Sequence, residues 1–190
     1  FLSKEINNDK ELFFLSDKEK KGSYIEGCPV IGTFSSIENN SLAKCEFVYQ
    51  CGSVKNHLKR DIWFKKAEEN QMIPKTLVSN HSYIHESATI GAGSIIYQGV
   101  KIMRNVEIGK NCVILPNTVI NHDARVGDFS VINSSCVLNG NVKIGSKVFL
   151  GSLTSIRENV QITGQTTIGM SSIVLNNINS PGVYYGQPIK

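Results

Sequence analysis

Seventeen consecutive hexads, running without a break from Val78 to Asn179, constrain the fold of this chain more than any other feature. The first residue of every hexad is Ile, Val or Leu, and the fifth is Ser, Ala, Val, Cys, Thr or, in the last, Ile. Neither the 3.6-residue period of a helix nor the two-residue period of a strand produces that rule. A triangular solenoid does: three short parallel strands make an 18-residue coil, the aliphatic first residue fills the interior and the small fifth residue fits near a corner. The spacing therefore predicts a hexapeptide-repeat parallel β-helix.

In such a solenoid, residues eighteen apart stack on one another. Gly91, Gly109, Gly127 and Gly145 form one column, expected where each coil turns the same tight corner. Asn105, Asp123, Asn141 and Asn159 form a second, an amide ladder with one carboxylate in it. A third reads Arg104, His122, Gly140 and Glu158. His122 and Asp123 are adjacent, and Gly140, one coil above, predicts open space and a free backbone N–H beside the imidazole. A carboxylate can orient an imidazole and raise its basicity, and an imidazole is well matched to general-base work near neutral pH. A neighbouring N–H could serve an oxyanion. Together these point to acyl transfer. The competing reading makes Asp123 a rung of a structural ladder.

Ahead of the solenoid, Leu12–Leu15 and Phe47–Tyr49 read as short buried parallel strands, with turn signals at Gly22, Gly27 and Pro29. Val54–Glu69 reads as an amphipathic helix with Val54, Leu58, Ile62 and Ala67 inward, and Trp63 and Phe64 as packing residues. Asn70–Leu77 is the linker. The tail leaves the solenoid at Pro181-Gly182, with Tyr184, Tyr185 and Pro188 placed to cover the last coil. The net charge of +4 is dispersed, with a mild excess in KNHLKRDIWFKK that reads as a solvated helix face, so nucleic acid is not an expected partner. Five cysteines without a CxxC argue against a disulfide framework or a zinc knuckle and fit a reducing cytoplasm. Cys112 and Cys136 fall at fifth positions, as small buried thiols. No run approaches the roughly 20 apolar residues of a membrane helix.

The run INHDARVGDFSVINSSCVLNGNVKIGSKVFLGS and the ending SPGVYYGQPIK resemble the bacterial hexapeptide-repeat sugar acetyltransferases. That family contains the sialic acid O-acetyltransferase and the nucleotide-sugar 4-amino N-acetyltransferases of the bacillosamine type. Upstream, ELFFLSDKEKKGSYIEGCPVIG and EFVYQCGSVKNHLKR resemble its small Rossmann-like nucleotide-sugar-binding domain. The resemblance implies a left-handed coil, with a partial Rossmann-like domain over residues 1–73 and the β-helix with its C-terminal tail over residues 74–190. Members open with a Gly-rich loop, and Phe1 lies beyond it, so the first domain is expected to be incomplete at its N-terminus. The resemblance further implies acetyl-CoA as co-substrate, no metal, a nucleotide-linked amino sugar as acceptor, a homotrimer with active sites between subunits, and a cytoplasmic location.

Residue by residue, His122 matches the family's catalytic base and Asp123 the acidic residue beside it. Gly140, Ser152 and Met170 match acetyl-CoA contacts made mostly through main chain. Val131 stands at another cofactor position, where members often carry a second His. In the first domain Asp17 matches one of two consecutive acids near the sugar nucleotide, Ser16 replaces the other, and Gly52 matches the glycine after the next strand. N-acetylation of a 4-amino nucleotide sugar for surface glycan or glycoprotein synthesis is the favoured activity. O-acetylation of sialic acid or a related sugar hydroxyl and a non-catalytic scaffold are the alternatives. A γ-type carbonic anhydrase would need three His on one zinc, whereas His81, His85 and His122 fall at unlike hexad positions.

Overall fold

The computed structural model describes residues 12–25, 27–38, 42–49 and 57–189. From Leu77 onward, two-residue strands recur every six residues and stack with a strict eighteen-residue register, as in Val113 opposite Val131 and Ile114 opposite Ile132. They build the three parallel sheets of a left-handed β-helix. The first sheet runs from Leu77–Val78 through Val131–Ile132 to Thr167–Ile168, the second from Tyr83–Ile84 to Ile173–Val174, and the third from Thr89–Ile90 to Gln161–Ile162.

The first residue of each hexad points inward, and from Ile96 to Val174 all of them are buried in one continuous core. The fifth residue is buried beside it, and its polar members solve a local problem. Corner carbonyls would otherwise lie buried without donors; Ser94 Oγ donates to Gly109 O at 2.8 Å and Thr118 Oγ1 to Asn133 O at 2.8 Å. Cys136 Sγ takes the same role toward Gly151 O. Burial pushes the Cys112 thiol up to about 12 and the Cys136 thiol to about 11. Both stay protonated and covered, so a thiol reagent such as DTNB at pH 8 should leave them unmodified in the native protein and reach them only after denaturation. Mass spectrometry of the labelled peptides would show it, and rapid native labelling of either would contradict the packing.

The corner chemistry differs from expectation. From Gly93 to Ser171 the fourth residue of every hexad has a positive φ, between 47° and 75°. Asn and Asp tolerate that region better than other side chains, which accounts for Asn105, Asn111, Asn117, Asp123, Asn141 and Asn159 there. The Gly91–Gly145 column lies two residues earlier and answers a different demand. A Cβ on Gly127 would stand 2.6 Å from the backbone carbon of Gly145, so close coil-to-coil contact, rather than a tight corner, requires glycine there.

Outward positions set the three faces apart. The third sheet presents Glu107, Arg125, Lys143 and Gln161 to solvent. The second presents Val119, Val137 and Ser155, half-buried, and Ile173, exposed. The first presents Ile95, Val113, Val131 and Phe149, which are buried as a separate apolar cluster.

The upstream segment packs beside that first face. Strands β1 (Phe14–Leu15), β2 (Tyr24–Ile25) and β3 (Cys28–Gly32) form one small sheet, β1 parallel and β2 antiparallel to the central β3. Strand β4 (Glu46–Phe47) pairs parallel with β5 (Ile73–Pro74), inside the expected linker. The strands expected at Leu12–Leu15 and Phe47–Tyr49 therefore lie in different sheets, and Pro29 sits within β3 rather than in a turn. Gly22 and Gly27 do turn, at φ +90° and +82°.

Helix α1 (Arg60–Glu69) is preceded by a short 3-10 turn over His57–Lys59. Val54 lies outside the described residues. The buried face carries His57, Arg60, Phe64 and Ala67, whereas Leu58 and Ile62, expected inward, are 45% and 47% exposed. Arg60 reverses the expectation because its guanidinium finds acceptors at one end where it is buried, although Nε has no hydrogen-bond partner among the described residues. Its Nη2 donates to both Asn111 O and Asn111 Oδ1 at 2.7 Å, and the group lies over the Tyr49 ring. Phe64 meets Phe129 edge-on, the His57 ring lies tilted against Phe149, and Lys147 pairs with Asp61 at 2.9 Å. Trp63 packs against Phe34, as expected.

At the other end, Val183–Tyr184 adds a strand beside Thr167–Ile168. Tyr184 and Ile189 pack on the core, but Tyr185 and Pro188 are exposed and do not cover the last coil.

Candidate functional site

His122 and Asp123 lie at the turn between Val119–Ile120 of the second sheet and Arg125–Val126 of the third. Asp123 occupies the left-handed position, φ 61°, and its backbone N–H donates to Arg104 O in the coil below at 3.0 Å. This fixes the direction of its carboxylate. Oδ2 lies 2.8 Å from His122 Nδ1, Oδ1 accepts from Asn105 Nδ2 at 3.0 Å, and Arg104 Nη2 stands 4.0 Å from Oδ2.

The Asn105 hydrogen bond, then the His122 hydrogen bond and the nearby Arg104 charge, hold the Asp123 carboxyl below the usual carboxylate range. An ionised carboxylate only accepts, so the proton of a neutral imidazole resides on Nδ1 and Nε2 carries the free lone pair. Nε2 makes no hydrogen bond among the described residues, and the His122 side chain is 51% exposed. The pair thus presents a basic nitrogen to solvent, with its orientation set from behind. Asn105 is the member that sequence reasoning took only as a ladder rung; its position eighteen residues before Asp123 was the available signal.

Gly140 corrects one expectation. The space above His122 is filled by the imidazole itself: a Cβ on Gly140 would stand 2.6 Å from Cε1 and 2.7 Å from Nε2. Gly140 shapes the berth of the base. Gly140→Ala should therefore push the ring aside while changing stability by less than about 1 kcal/mol, since only the end of an exposed side chain must move. If the ring acts as a base, displacement of that order lowers kcat roughly 100-fold. Parallel turnover and urea-unfolding measurements check both halves.

The remaining expected residues fall in three places. Ser152 and Met170 stack one coil apart at the opposite edge of the second sheet, with the Ser171 N–H donating to Ser152 O at 2.8 Å and Met170 70% exposed. One chain therefore does not bring them to His122. Val131 is fully buried in the first sheet's apolar cluster, so its side chain is no part of a cofactor surface. In the upstream segment Asp17 Oδ1 accepts from the Phe34 N–H at 3.0 Å, and Ser16 Oγ accepts from the Lys18 and Glu19 N–H groups, so both organise the loop after β1. Gly52 lies outside the described residues. Among the described residues no group of three or more His, Cys, Asp or Glu could hold a metal ion, and His81 and His85 are not brought to His122. No described helix is long and apolar enough to cross a membrane.

The sequence model of one protein family, described as the GMPPB C-terminal domain, matches residues 72–180, more than half of the chain and all of the His122 corner. The chain belongs to the GMPPB C-terminal domain family. No curated protein matches the chain significantly. Among solved structures, this family member is similar to the acetyltransferase domain of PglB from Neisseria gonorrhoeae, with a TM-score of 0.88 and 24% identity over 95% of this chain and 86% of that one. It is also similar to PerB from Caulobacter crescentus in complex with CoA and GDP-perosamine, at TM-score 0.82 and 22% identity over 87% and 79%. WeeI from Acinetobacter baumannii matches at TM-score 0.82 and 20% identity over 94% and 84%. The likeness extends through the upstream segment as well as the solenoid, and it establishes a shared fold.

Proposed function

We propose that this protein is an acetyl-CoA-dependent acetyltransferase that N-acetylates the amine of a 4-amino nucleotide sugar. The observation that carries the reading is the exposed His122 imidazole, braced at Nδ1 by an ionised Asp123 and bare at Nε2. Two similar structures support the substrates: the PglB domain was solved with acetyl coenzyme A, and PerB with CoA and GDP-perosamine. When bound, acetyl-CoA supplies an activated acetyl thioester. His122 Nε2 takes the proton of the attacking amine, Asp123 holds the ring in the tautomer that can do so, and Gly140 keeps its berth open. Gly140, Ser152 and Met170 contact the co-substrate, largely through main chain.

Ser152 and Met170 lie across the second sheet from His122, and the apolar residues Val119, Val137 and Ile173 line the face between the two corners. A homotrimer that packs this face against a neighbour would bring the Met170 corner of one copy to the His122 corner of the next. We further propose a division into a nucleotide-sugar-binding segment over residues 1–73, using Asp17, Ser16 and Gly52, and a catalytic β-helix over residues 74–190. The setting proposed is cytoplasmic synthesis of a surface polysaccharide or glycoprotein glycan. Incubation with acetyl-CoA and UDP- or dTDP-4-amino sugars, GDP-perosamine and sialic acid, followed by mass spectrometry and alkali treatment, tests the reading. An alkali-stable acetylated amino sugar is expected, while an alkali-labile ester would make the enzyme an O-acetyltransferase.

A further inference from the structure

The eighteen-residue register that pairs Ile102 with Ile120 places Arg104 one coil below His122. Both side chains converge on one atom: Asp123 Oδ2 lies 2.8 Å from His122 Nδ1 and 4.0 Å from Arg104 Nη2. The second distance is beyond a hydrogen bond, and the carboxylate is already served by Asn105 and His122. Arg125, on the neighbouring sheet, is different, since its Nη2 reaches Glu107 Oε1 at 3.0 Å. Arg104 thus holds a 63% exposed guanidinium beside the base, with its donors uncommitted to a close acceptor among the described residues.

We propose that Arg104 is a specificity-determining residue that binds the diphosphate of the acceptor while His122 serves its amine; this rests on the acetyltransferase reading above. Coils rise by about 4.8 Å, roughly the width of a sugar ring. A 4-amino nucleotide sugar carries its amine and its anomeric diphosphate at opposite ends of one such ring. With the amine at His122 Nε2, the diphosphate falls within the span of an arginine one coil away. A guanidinium grips phosphate oxygens through paired donors, which a lysine cannot reproduce. The phosphates of CoA are the other source of the same chemistry, but the pantetheine arm separates them from the thioester that must reach His122.

The test compares wild type, Arg104→Gln and Arg104→Lys on GDP-perosamine and on the methyl glycoside of the same amino sugar, which lacks the diphosphate. For Arg104→Gln, kcat/KM on the nucleotide sugar should fall about 10- to 100-fold, mostly through KM. Arg104→Lys should recover part of that loss. Turnover of the methyl glycoside and the KM for acetyl-CoA should not change. Equal losses on both acceptors would overturn the proposal and leave Arg104 as a brace for Asp123, and a raised KM for acetyl-CoA would assign it to CoA instead. Wild type that acetylates GDP-perosamine alongside an unimpaired Arg104→Gln overturns the role of Arg104 alone. Wild type that releases no thiol with any nucleotide sugar of the panel above and binds no acetyl-CoA overturns the acetyltransferase reading and this inference with it.

Discussion

Replacement of His122 by alanine should lower acetyl transfer by about 10²- to 10⁴-fold, the range general-base catalysis contributes, with the fold unchanged. The imidazole is exposed, and its one hydrogen-bonded partner, Asp123, keeps the Asn105 bond when the ring is gone. Neither the core nor the backbone turn depends on it: the Asn141 N–H donates to His122 O, a main-chain group that alanine retains. The loss should appear in kcat, with the KM for acetyl-CoA little altered, because the base acts on the acceptor's proton. Steady-state kinetics of His122→Ala beside wild type measure it. A variant with more than half of wild-type turnover would remove His122 from the chemistry.

The largest effect on stability should come from the interior. Ile132 is fully buried at the first position of a central coil, between Ile114 below and Leu150 above in the same sheet. Coils stacked in register cannot slide to fill a void, since each strand is hydrogen-bonded above and below. Ile132→Ala should therefore cost about 2–5 kcal/mol and Ile132→Val about 0.5–1.5 kcal/mol. Urea unfolding followed by circular dichroism would show a lowered midpoint in that order. Equal midpoints for the two variants would mean that the interior is not packed around the first position.

These two variants separate what was legible in the chain from what was not. Ile132 could be named as core from sequence because a six-residue period has one structural solution, and the register of eighteen follows from it. The same register placed His122, already next to Asp123 in the chain, under Gly140 and over Arg104. It could not say that the His122 ring would occupy the space beside Gly140, because that depends on a side-chain torsion. The hexad pattern also leaves the outward sixth position undetermined. Val131 looked available for a ligand and is covered, because Ile95, Val113 and Phe149 make the first sheet's outer face apolar and the upstream segment packs beside it. Helix α1 misled for a related reason. Leu58 and Ile62 are the better hydrophobes, but the buried Asn111 offers Arg60 two acceptors, and that long-range partner rotates the helix so that Phe64 faces the solenoid. Glycine invited a conformational reading in the Gly91–Gly145 column, where the demand is instead the closeness of the next coil's backbone.

The central claim is that His122 and Asp123 serve transfer of an acetyl group to a sugar amine. Thiol release from acetyl-CoA, followed with purified wild-type protein and a panel of 4-amino nucleotide sugars that includes GDP-perosamine, tests it most directly. The account predicts release that depends on one of these amines, yields one N-acetylated product per thiol and is abolished with His122→Ala. Absence of thiol release across the panel, together with no measurable binding of acetyl-CoA, would contradict it and leave a β-helix that serves as a scaffold.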